Sequence, residues 1–246
     1  MRWLASLRWA GQAIRGVIYP PLCLECDADL DDFEARFCTD CLRELFEDKP
    51  ACSRCAARVG PFVDTTNGCL VCQRESLRFD AAIRLGSYEG KLRGLCLSFK
   101  SIHNELLGPA LTRLFLKHHM AELKAVDANM VIAVPLHFWR RLQRGFNQAE
   151  SVAACLAREL NLPHRSYLLN RARQTKPQSQ LKREERHENV VGAFRVSRRA
   201  KLKGATVLLV DDILTTGATC SEAAKALKEA GAARVVVAVL ARSQEI

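Results

Sequence analysis

Two adjacent aspartates follow an apolar run near the C-terminal end of the chain. Asp211 and Asp212 come directly after "VLLV" (207–210), and the small, hydroxyl-rich stretch "TTGAT" (215–219) begins two residues later. Carboxylates accept hydrogen bonds from vicinal hydroxyl groups, whereas threonine hydroxyls and free backbone N–H groups at a helix start bind an anion. The pattern predicts a site for a ribose phosphate. Its expected phosphate ligands are Thr215, Thr216, Gly217, Ala218 and Thr219.

Eight of the eleven cysteines form four CxxC pairs within the first third of the chain. Each pair places two thiolates on a tight turn, and two such turns complete a tetrahedral four-thiolate zinc site. Disulfides are disfavoured because nothing indicates export and intracellular thiols stay reduced. We therefore expect two structural zinc ions, although spacing alone also allows the first and third pairs to share a metal. The expected ligand sets are Cys23, Cys26, Cys38 and Cys41, and Cys52, Cys55, Cys69 and Cys72.

The net charge of +10 is unevenly distributed along the chain. Residues 171–203 carry 11 basic and 3 acidic side chains, whereas residues 23–79 carry 7 basic and 12 acidic ones. A basic run of this kind is either a solvated face or a surface for phosphates or nucleic acid. The acidic cysteine-rich segment is a poor candidate for the main phosphate-binding surface.

The first twenty residues are interrupted by arginines and lack the apolar core of a signal peptide. Their apolar residues recur at helical spacing, which predicts an amphipathic helix over 1–22 that docks on the protein or, as the lesser alternative, on a membrane surface. No apolar run has the length of a transmembrane segment. We expect a cytoplasmic protein with this helix, a double zinc ribbon over 23–79 and a larger domain over 80–246.

Short apolar strands alternate with helical patterns in the larger domain. The strands are expected at 130–136, 206–210 and 234–241, with helices over 149–160 and 221–232. This alternation predicts an α/β fold with a parallel sheet covered on both faces. Ligands of such sheets bind beyond the carboxyl ends of the strands, where the loops 137–148 and 211–219 both lie.

Four segments together resemble the ComF family, including its ComFC and GntX-like members. They are the paired CxxC ribbon, "VPLHFWRRLQRGFNQAE", "RQTKPQSQLKREERHENVVGAF" and "VLLVDDILTTGAT", in this order. The last segment resembles the phosphoribosyl-diphosphate (PRPP) motif of type I phosphoribosyltransferases. The resemblance implies a type I phosphoribosyltransferase-like parallel sheet flanked by helices, a flexible hood and PRPP bound with Mg²⁺.

The resemblance also implies roles for individual residues. Asp211 and Asp212 would bind the ribose hydroxyls, and Arg144 would be the leading contact of the diphosphate; these three are the expected catalytic residues. Arg140 and Arg141 would be weaker PRPP contacts. Lys100 lies where members of the family often have a basic residue, although an ordinary surface lysine explains it nearly as well. The mobile loop closing over PRPP would contain Thr175, Gln178, Arg186 and Asn189.

ComF proteins are implied to act in natural transformation, where they handle incoming single-stranded DNA beside a helicase partner. The basic regions 137–148 and 171–203 would then contact the DNA, and the chain could bind PRPP without turning it over. The alternative is a metabolic enzyme that transfers ribose-5-phosphate from PRPP to an unidentified amine or base with release of diphosphate. No residue of the sequence must be a general base, so both hypotheses stay open.

Overall fold

The computed structural model describes residues 21–32, 35–46, 49–75, 77–100, 104, 107–137, 142, 145–176, 178 and 181–244. Nearly all of the predicted amphipathic helix, 1–22, lies outside these residues. The chain divides into two compact units, Met1–Phe46 and Glu47–Ile246. The second set of cysteines thus lies in the larger unit, and the domain boundaries expected from the sequence stay a prediction.

Helices and strands alternate along most of the larger unit. Helix α1 (Thr39–Leu45) belongs to the smaller unit, and α2 (Leu70–Arg74) begins the larger one. The elements that follow are β1 (Ala81–Ser87), α3 (Gly90–Ser98), α4 (Leu107–Ala125), β2 (Met130–Ala133), α5 (Gln148–Glu159), β3 (Leu169–Arg171), α6 (Arg183–Val190), β4 (Phe194–Val196), β5 (Thr206–Leu214), α7 (Ala218–Glu229) and β6 (Arg234–Arg242).

The main sheet has four strands in the order β1-β6-β5-β2, and every neighbouring pair is parallel. Residues 207–210 of β5 and 235–241 of β6 are almost completely inaccessible to solvent. Apolar residues at consecutive positions of a strand indicate a sheet that is covered on both faces, because successive side chains point to opposite sides. The predicted α/β fold with a parallel sheet is confirmed.

Strand β5 is longer than its sequence pattern suggests. It continues through Asp211 and Asp212 to Leu214, and Asp211 pairs in register with Val239 of β6. Strand β2 ends at Ala133, which is opposite Val210. The last four residues of β5 therefore have a strand partner on one side only, and both aspartates lie on this open part of the strand.

A second, two-stranded antiparallel sheet pairs β3 with β4. The chain between these strands carries α6 and includes every residue expected in the mobile loop. The loop thus leaves and returns through one hairpin. Among the helices that the structure describes, none has the length and hydropathy needed to cross a membrane.

Asp80 fixes the start of the sheet between β1 and β6. Its Oδ2 accepts a hydrogen bond of 2.8 Å from the N–H of Val235, and its Oδ1 accepts one of 2.7 Å from Lys228 Nζ. We expect Asp80→Ala to lower the free energy of unfolding by about 1–2 kcal/mol, because the Val235 N–H loses its acceptor. Lys228→Ala removes only an exposed ion pair and should cost less than about 1 kcal/mol.

Urea unfolding followed by circular dichroism, with zinc present, measures both costs. Equal losses for the two variants would contradict the importance of the Asp80–Val235 hydrogen bond.

Candidate functional site

Two CxxC turns of the chain repeat the same backbone hydrogen bonds, twenty-nine residues apart. In the first turn Cys23 N donates to Ala28 O and Asp27 N to Cys23 O; in the second, Cys52 N donates to Ala57 O and Ala56 N to Cys52 O. Asp27 and Ala56 both have left-handed backbone angles, with φ of 56° and 55°. The two turns are therefore structural repeats.

The structure gathers eight cysteines into two clusters, each with its sulfur atoms within 4.8 Å of one another. The first cluster contains Cys23, Cys26, Cys38 and Cys41, and the second cluster contains Cys52, Cys55, Cys69 and Cys72. Sequential pairs thus come together, and the alternative in which the first and third pairs share a metal is not the arrangement found.

Sulfur–sulfur distances in both clusters suit a tetrahedral zinc ion. Cys26 and Cys38 are 3.7 Å apart, and the pairs Cys52–Cys72 and Cys55–Cys69 are each 3.6 Å apart. Four sulfurs at a Zn–S distance of about 2.3 Å form a tetrahedron with edges of about 3.8 Å. Each cluster supplies a complete set of four ligands, so the two zinc sites are structural.

The clusters differ in their surroundings. All four cysteines of the second cluster are buried, whereas Cys26 of the first is exposed and Cys38 is partly exposed. The second cluster belongs to the same apolar core as β5, β6 and α7. Its metal therefore sits in the core of the larger unit.

The two aspartates of the candidate site engage their own strand. Asp211 Oδ1 accepts a hydrogen bond of 2.9 Å from Asp212 N, and Asp212 Oδ1 accepts one of 2.8 Å from Ile213 N. The buried thiol of Cys220 donates to Asp211 Oδ2 over 3.6 Å. Burial, and secondly the negative charge of Asp212, raise the pKa of Asp211 well above its usual range. Hydrogen bonds from hydroxyl groups, or a bound cation, would therefore stabilise this pair of carboxylates.

The threonine-rich loop joins the end of β5 to the first turn of α7. Gly217 adopts a φ of +84°, and a Cβ atom there would lie only 2.9 Å from Leu77 Cδ2, so both conformation and space require glycine. Ala218 N contacts the hydroxyl of Thr216 over 3.4 Å. Ala218 and Thr219 lie within the first helical turn, where N–H groups have no partner inside the helix. Such a turn suits an anion.

The loop after β2 reaches the same edge of the sheet. Asn147 begins α5: its side chain accepts a hydrogen bond from Ala149 N and donates one of 3.1 Å to Val134 O. Gln148 donates to the carbonyl oxygen of Phe99. The two polar residues of "GFNQ" therefore hold α5 against the end of β2 and the end of α3. The predicted PRPP contacts Arg140, Arg141 and Arg144 lie outside the described residues.

The expected mobile loop contacts the threonine loop directly. Gln178 Nε2 donates to Thr219 Oγ1 and to the carbonyl oxygen of Arg186, each over 3.2 Å. The Oε1 atom of Gln178 is buried and has no hydrogen-bond partner among the residues that the structure describes. Gln178 thus lies against a hydroxyl of the candidate anion site and presents an acceptor to the cavity.

Thr175 and Asn189 stabilise the loop itself. Thr175 is buried and accepts a hydrogen bond from Arg171, while Asn189 exchanges two hydrogen bonds with the backbone of Lys176, at 3.0 and 3.1 Å. Of the four residues expected in the mobile loop, Gln178 and Arg186 line the site, and Thr175 and Asn189 support it from behind.

One cavity of about 290 Å³ brings these groups together. It contains both aspartates, two hydroxyls of the threonine loop and three cationic side chains. The polar and charged residues of its lining are Tyr88, Lys100, Asn147, Gln148, Arg171, Gln178, Arg186, Asp211, Asp212, Thr215, Thr219 and Ser243. The same cavity therefore contains carboxylates that can accept hydrogen bonds from hydroxyl groups and cations that can bind phosphate.

Three members of this region were not predicted from the sequence. Arg171 lies in the basic run, but its basic character alone does not single it out. Cys220 belongs to none of the CxxC pairs, yet its thiol contacts Asp211. Arg242, at the end of β6, donates to the carbonyl oxygens of Leu214 and Thr215.

Family comparisons agree with this description. The model of the family described as "Phosphoribosyl transferase domain" matches residues 147–245, and that of the "Double zinc ribbon domain" matches residues 14–74. The chain thus combines a double zinc ribbon with a phosphoribosyltransferase domain.

Several proteins are similar to this chain, two of them over most of its length. Competence protein F of Haemophilus influenzae is 27% identical over 227 residues, which are 90% of this chain and 96% of the relative. DNA utilization protein YhgH of Escherichia coli is 29% identical over 91% of this chain and 98% of its own length. Competence protein ComFC of Bacillus subtilis is 32% identical over 44% of this chain and 41% of the relative. The chain is thus similar, over most of its length, to proteins named for competence and for DNA utilization.

Because its pKa is raised, Asp211 is expected to lower the stability of the protein when no ligand is bound. An acid whose folded pKa lies above its ordinary value of 3.8 destabilises the protein increasingly as pH rises from that value through the folded pKa. We expect Asp211→Asn to raise the free energy of unfolding at pH 7.5, by about 1 kcal/mol, since it removes a partly buried, poorly solvated carboxylate. The gain should shrink on acidification.

Unfolding by urea at several pH values, within the range in which zinc stays bound, checks this expectation. Asp64 is the control, because its carboxylate is exposed and hydrogen bonds from Thr66 lower its pKa. A gain in stability from Asp64→Asn as large as that from Asp211→Asn would contradict the explanation.

Proposed function

We propose that this chain is a cytoplasmic ComF-type protein that binds PRPP and acts in natural transformation, in the uptake and handling of DNA. The observation that carries the PRPP assignment is the shared cavity of Asp211, Asp212 and the threonine loop. It lies at the carboxyl edge of a parallel sheet, where α/β proteins bind their ligands.

The two halves of the cavity suit the two ends of a ribose phosphate. Asp211 and Asp212 accept hydrogen bonds from the ribose hydroxyls, which compensates the repulsion between the two carboxylates. The 5′-phosphate lies at the start of α7, where it receives backbone N–H groups and the hydroxyls of Thr215 and Thr219. Lys100 and Arg171, which both line the cavity, supply positive charge for the diphosphate.

Magnesium suits this set of donors. Mg²⁺ prefers oxygen ligands, commonly one or two carboxylates together with substrate phosphates, and the cavity offers Asp211 and Asp212 next to the proposed sugar position. When bound, the ion neutralises part of the charge of the diphosphate.

Gln178 links the mobile loop to bound PRPP. In the free protein its amide N–H group hydrogen-bonds the Thr219 hydroxyl, which is one of the proposed phosphate ligands. The unsatisfied Oε1 of Gln178 can accept a hydrogen bond from a ligand in the cavity. Arg144, with Arg140 and Arg141 as weaker contacts, completes the diphosphate site from the loop after β2.

The role in DNA uptake is supported by the relatives, which are named for competence and for DNA utilization. Single-stranded DNA contacts the basic regions 137–148 and 171–203, since the latter alone carries 11 basic and 3 acidic side chains. The acidic ribbon docks a competence helicase. The second candidate is a metabolic transferase that uses the same PRPP site on an unidentified amine or base.

Isothermal titration calorimetry with PRPP and Mg²⁺ tests the central proposal. We expect wild-type protein to bind, and the double variant Asp211→Asn with Asp212→Asn to lose binding by at least about a hundredfold, because hydrogen bonds to charged acceptors are worth about 1.5–3 kcal/mol each. Both substitutions keep the shape of the wild-type side chains. Unchanged affinity in the double variant would refute the ribose contact.

Transformation of a strain that lacks the gene tests the biological role. Wild-type protein should restore transformation, and the double aspartate variant should fail to do so if uptake depends on PRPP binding. Rescue by both proteins would separate DNA uptake from the PRPP site, and rescue by neither would favour the metabolic candidate.

A further inference from the structure

A single buried guanidinium joins the second cluster to the proposed phosphate loop. Arg242 is only 3% exposed. It donates to Cys55 O over 3.0 Å, to Leu214 O over 2.9 Å and to Thr215 O. Cys55 is a zinc ligand, and Leu214 and Thr215 are the residues at which β5 passes into the loop. The planar fork of arginine can hold several acceptors at once in a fixed geometry.

The segment that leaves the second cluster also supports the loop by packing. Leu77 and Phe79 lie directly beneath Gly217, as their distances of 2.9 and 3.6 Å from a hypothetical Cβ show. Arg78 N donates to the hydroxyl of Ser221 in the first turn of α7, over 2.9 Å. The path of the loop therefore depends on the position of residues 77–79, which follow shortly after the last zinc ligand.

The same segment reaches the helix of the mobile loop. Glu75, three residues after Cys72, forms an ion pair of 2.9 Å with Arg183 at the start of α6. Both partners are mostly buried, with 17% and 29% of their side chains exposed. The second cluster is thus connected to both chain segments that enclose the cavity.

We propose that the second cluster, acting through Arg242, positions the phosphate-binding loop, so that zinc at this cluster and PRPP at the loop strengthen each other's binding. Arg242 is in this sense a positioning residue, since it contacts the loop backbone and not the ligand. The inference rests on the proposed function of the loop. Coupling between two sites is reciprocal, so it can be measured from either side.

The rate of zinc release tests this proposal, because an arginine with a purely structural role would not make that rate depend on PRPP. Wild-type protein, saturated with zinc, is mixed with a zinc-selective chelating dye in the presence and absence of PRPP and Mg²⁺. We expect PRPP to slow the release of one zinc by about fivefold or more, within the usual range of coupling energies, and to leave the other unaffected. Cys52→Ser and Cys26→Ser, each lacking one cluster, assign the two kinetic phases.

Two variants of β6 then separate the role of Arg242 from a general effect on the strand. Arg242→Gln should bind PRPP about tenfold more weakly and lose the PRPP-dependent protection of zinc. Arg242→Lys, which keeps the charge and loses the fork, should restore part of both. Arg234→Gln is the matched control, because Arg234 begins the same strand and is exposed. It should behave as wild type.

The outcomes distinguish this inference from the proposed function. Absence of PRPP binding to wild-type protein overturns both. Normal PRPP binding with equal zinc release in its presence and absence overturns the coupling alone, as does wild-type affinity in Arg242→Gln. If Arg242→Gln does not fold, the effect of PRPP on zinc release from wild-type protein decides the question.

Discussion

The site depends on two adjacent carboxylates held at the end of a central strand. Asp211 and Asp212 can both face the cavity because β2 ends opposite Val210 while β5 continues to Leu214. Each aspartate satisfies the N–H group of the next residue, which partly replaces the missing strand on that side. The arrangement still keeps a destabilised negative charge in the protein. Such a cost is typical of functional sites, where ligand binding compensates it.

Local sequence patterns predicted the parts of the site that are contiguous in the chain. The apolar run before Asp211, the two carboxylates and the glycine of "TTGAT" each have a local physical reason, so the strand, the loop and the helix after it could be derived. The paired CxxC spacing likewise predicted both clusters. The exact end of β5 could not be derived, since its last residues pair with β6, Ile213 with Ala241 and Leu214 with Arg242, and this pairing leaves no pattern in β5 itself.

Contacts between distant segments explain what the sequence did not predict. Arg242 follows the predicted strand 234–241 and has no local pattern that distinguishes it from other arginines, yet it contacts Cys55, 187 residues away. Cys220 approaches Asp211 only because α7 folds back along β5. The contact between Gln178 and Thr219 joins residues 41 positions apart. In each case the contact depends on the tertiary fold, so composition and residue spacing do not predict it.

The two zinc turns illustrate how one local structure can serve different purposes. Their hydrogen bonds are the same because four thiolates around one ion leave the backbone little choice. The residues between the ligands are under no such constraint: Leu24 and Glu25 of the first turn correspond to Ser53 and Arg54 of the second. In the second turn, Ser53 O accepts a hydrogen bond from Ala82 N, near the start of β1, and Cys55 O accepts one from Arg242, at the end of β6. The turn is therefore attached to both strands of the pair at the edge of the main sheet. Zinc at the second cluster therefore contributes to the stability of the larger unit, because it holds the turn that makes both of these hydrogen bonds.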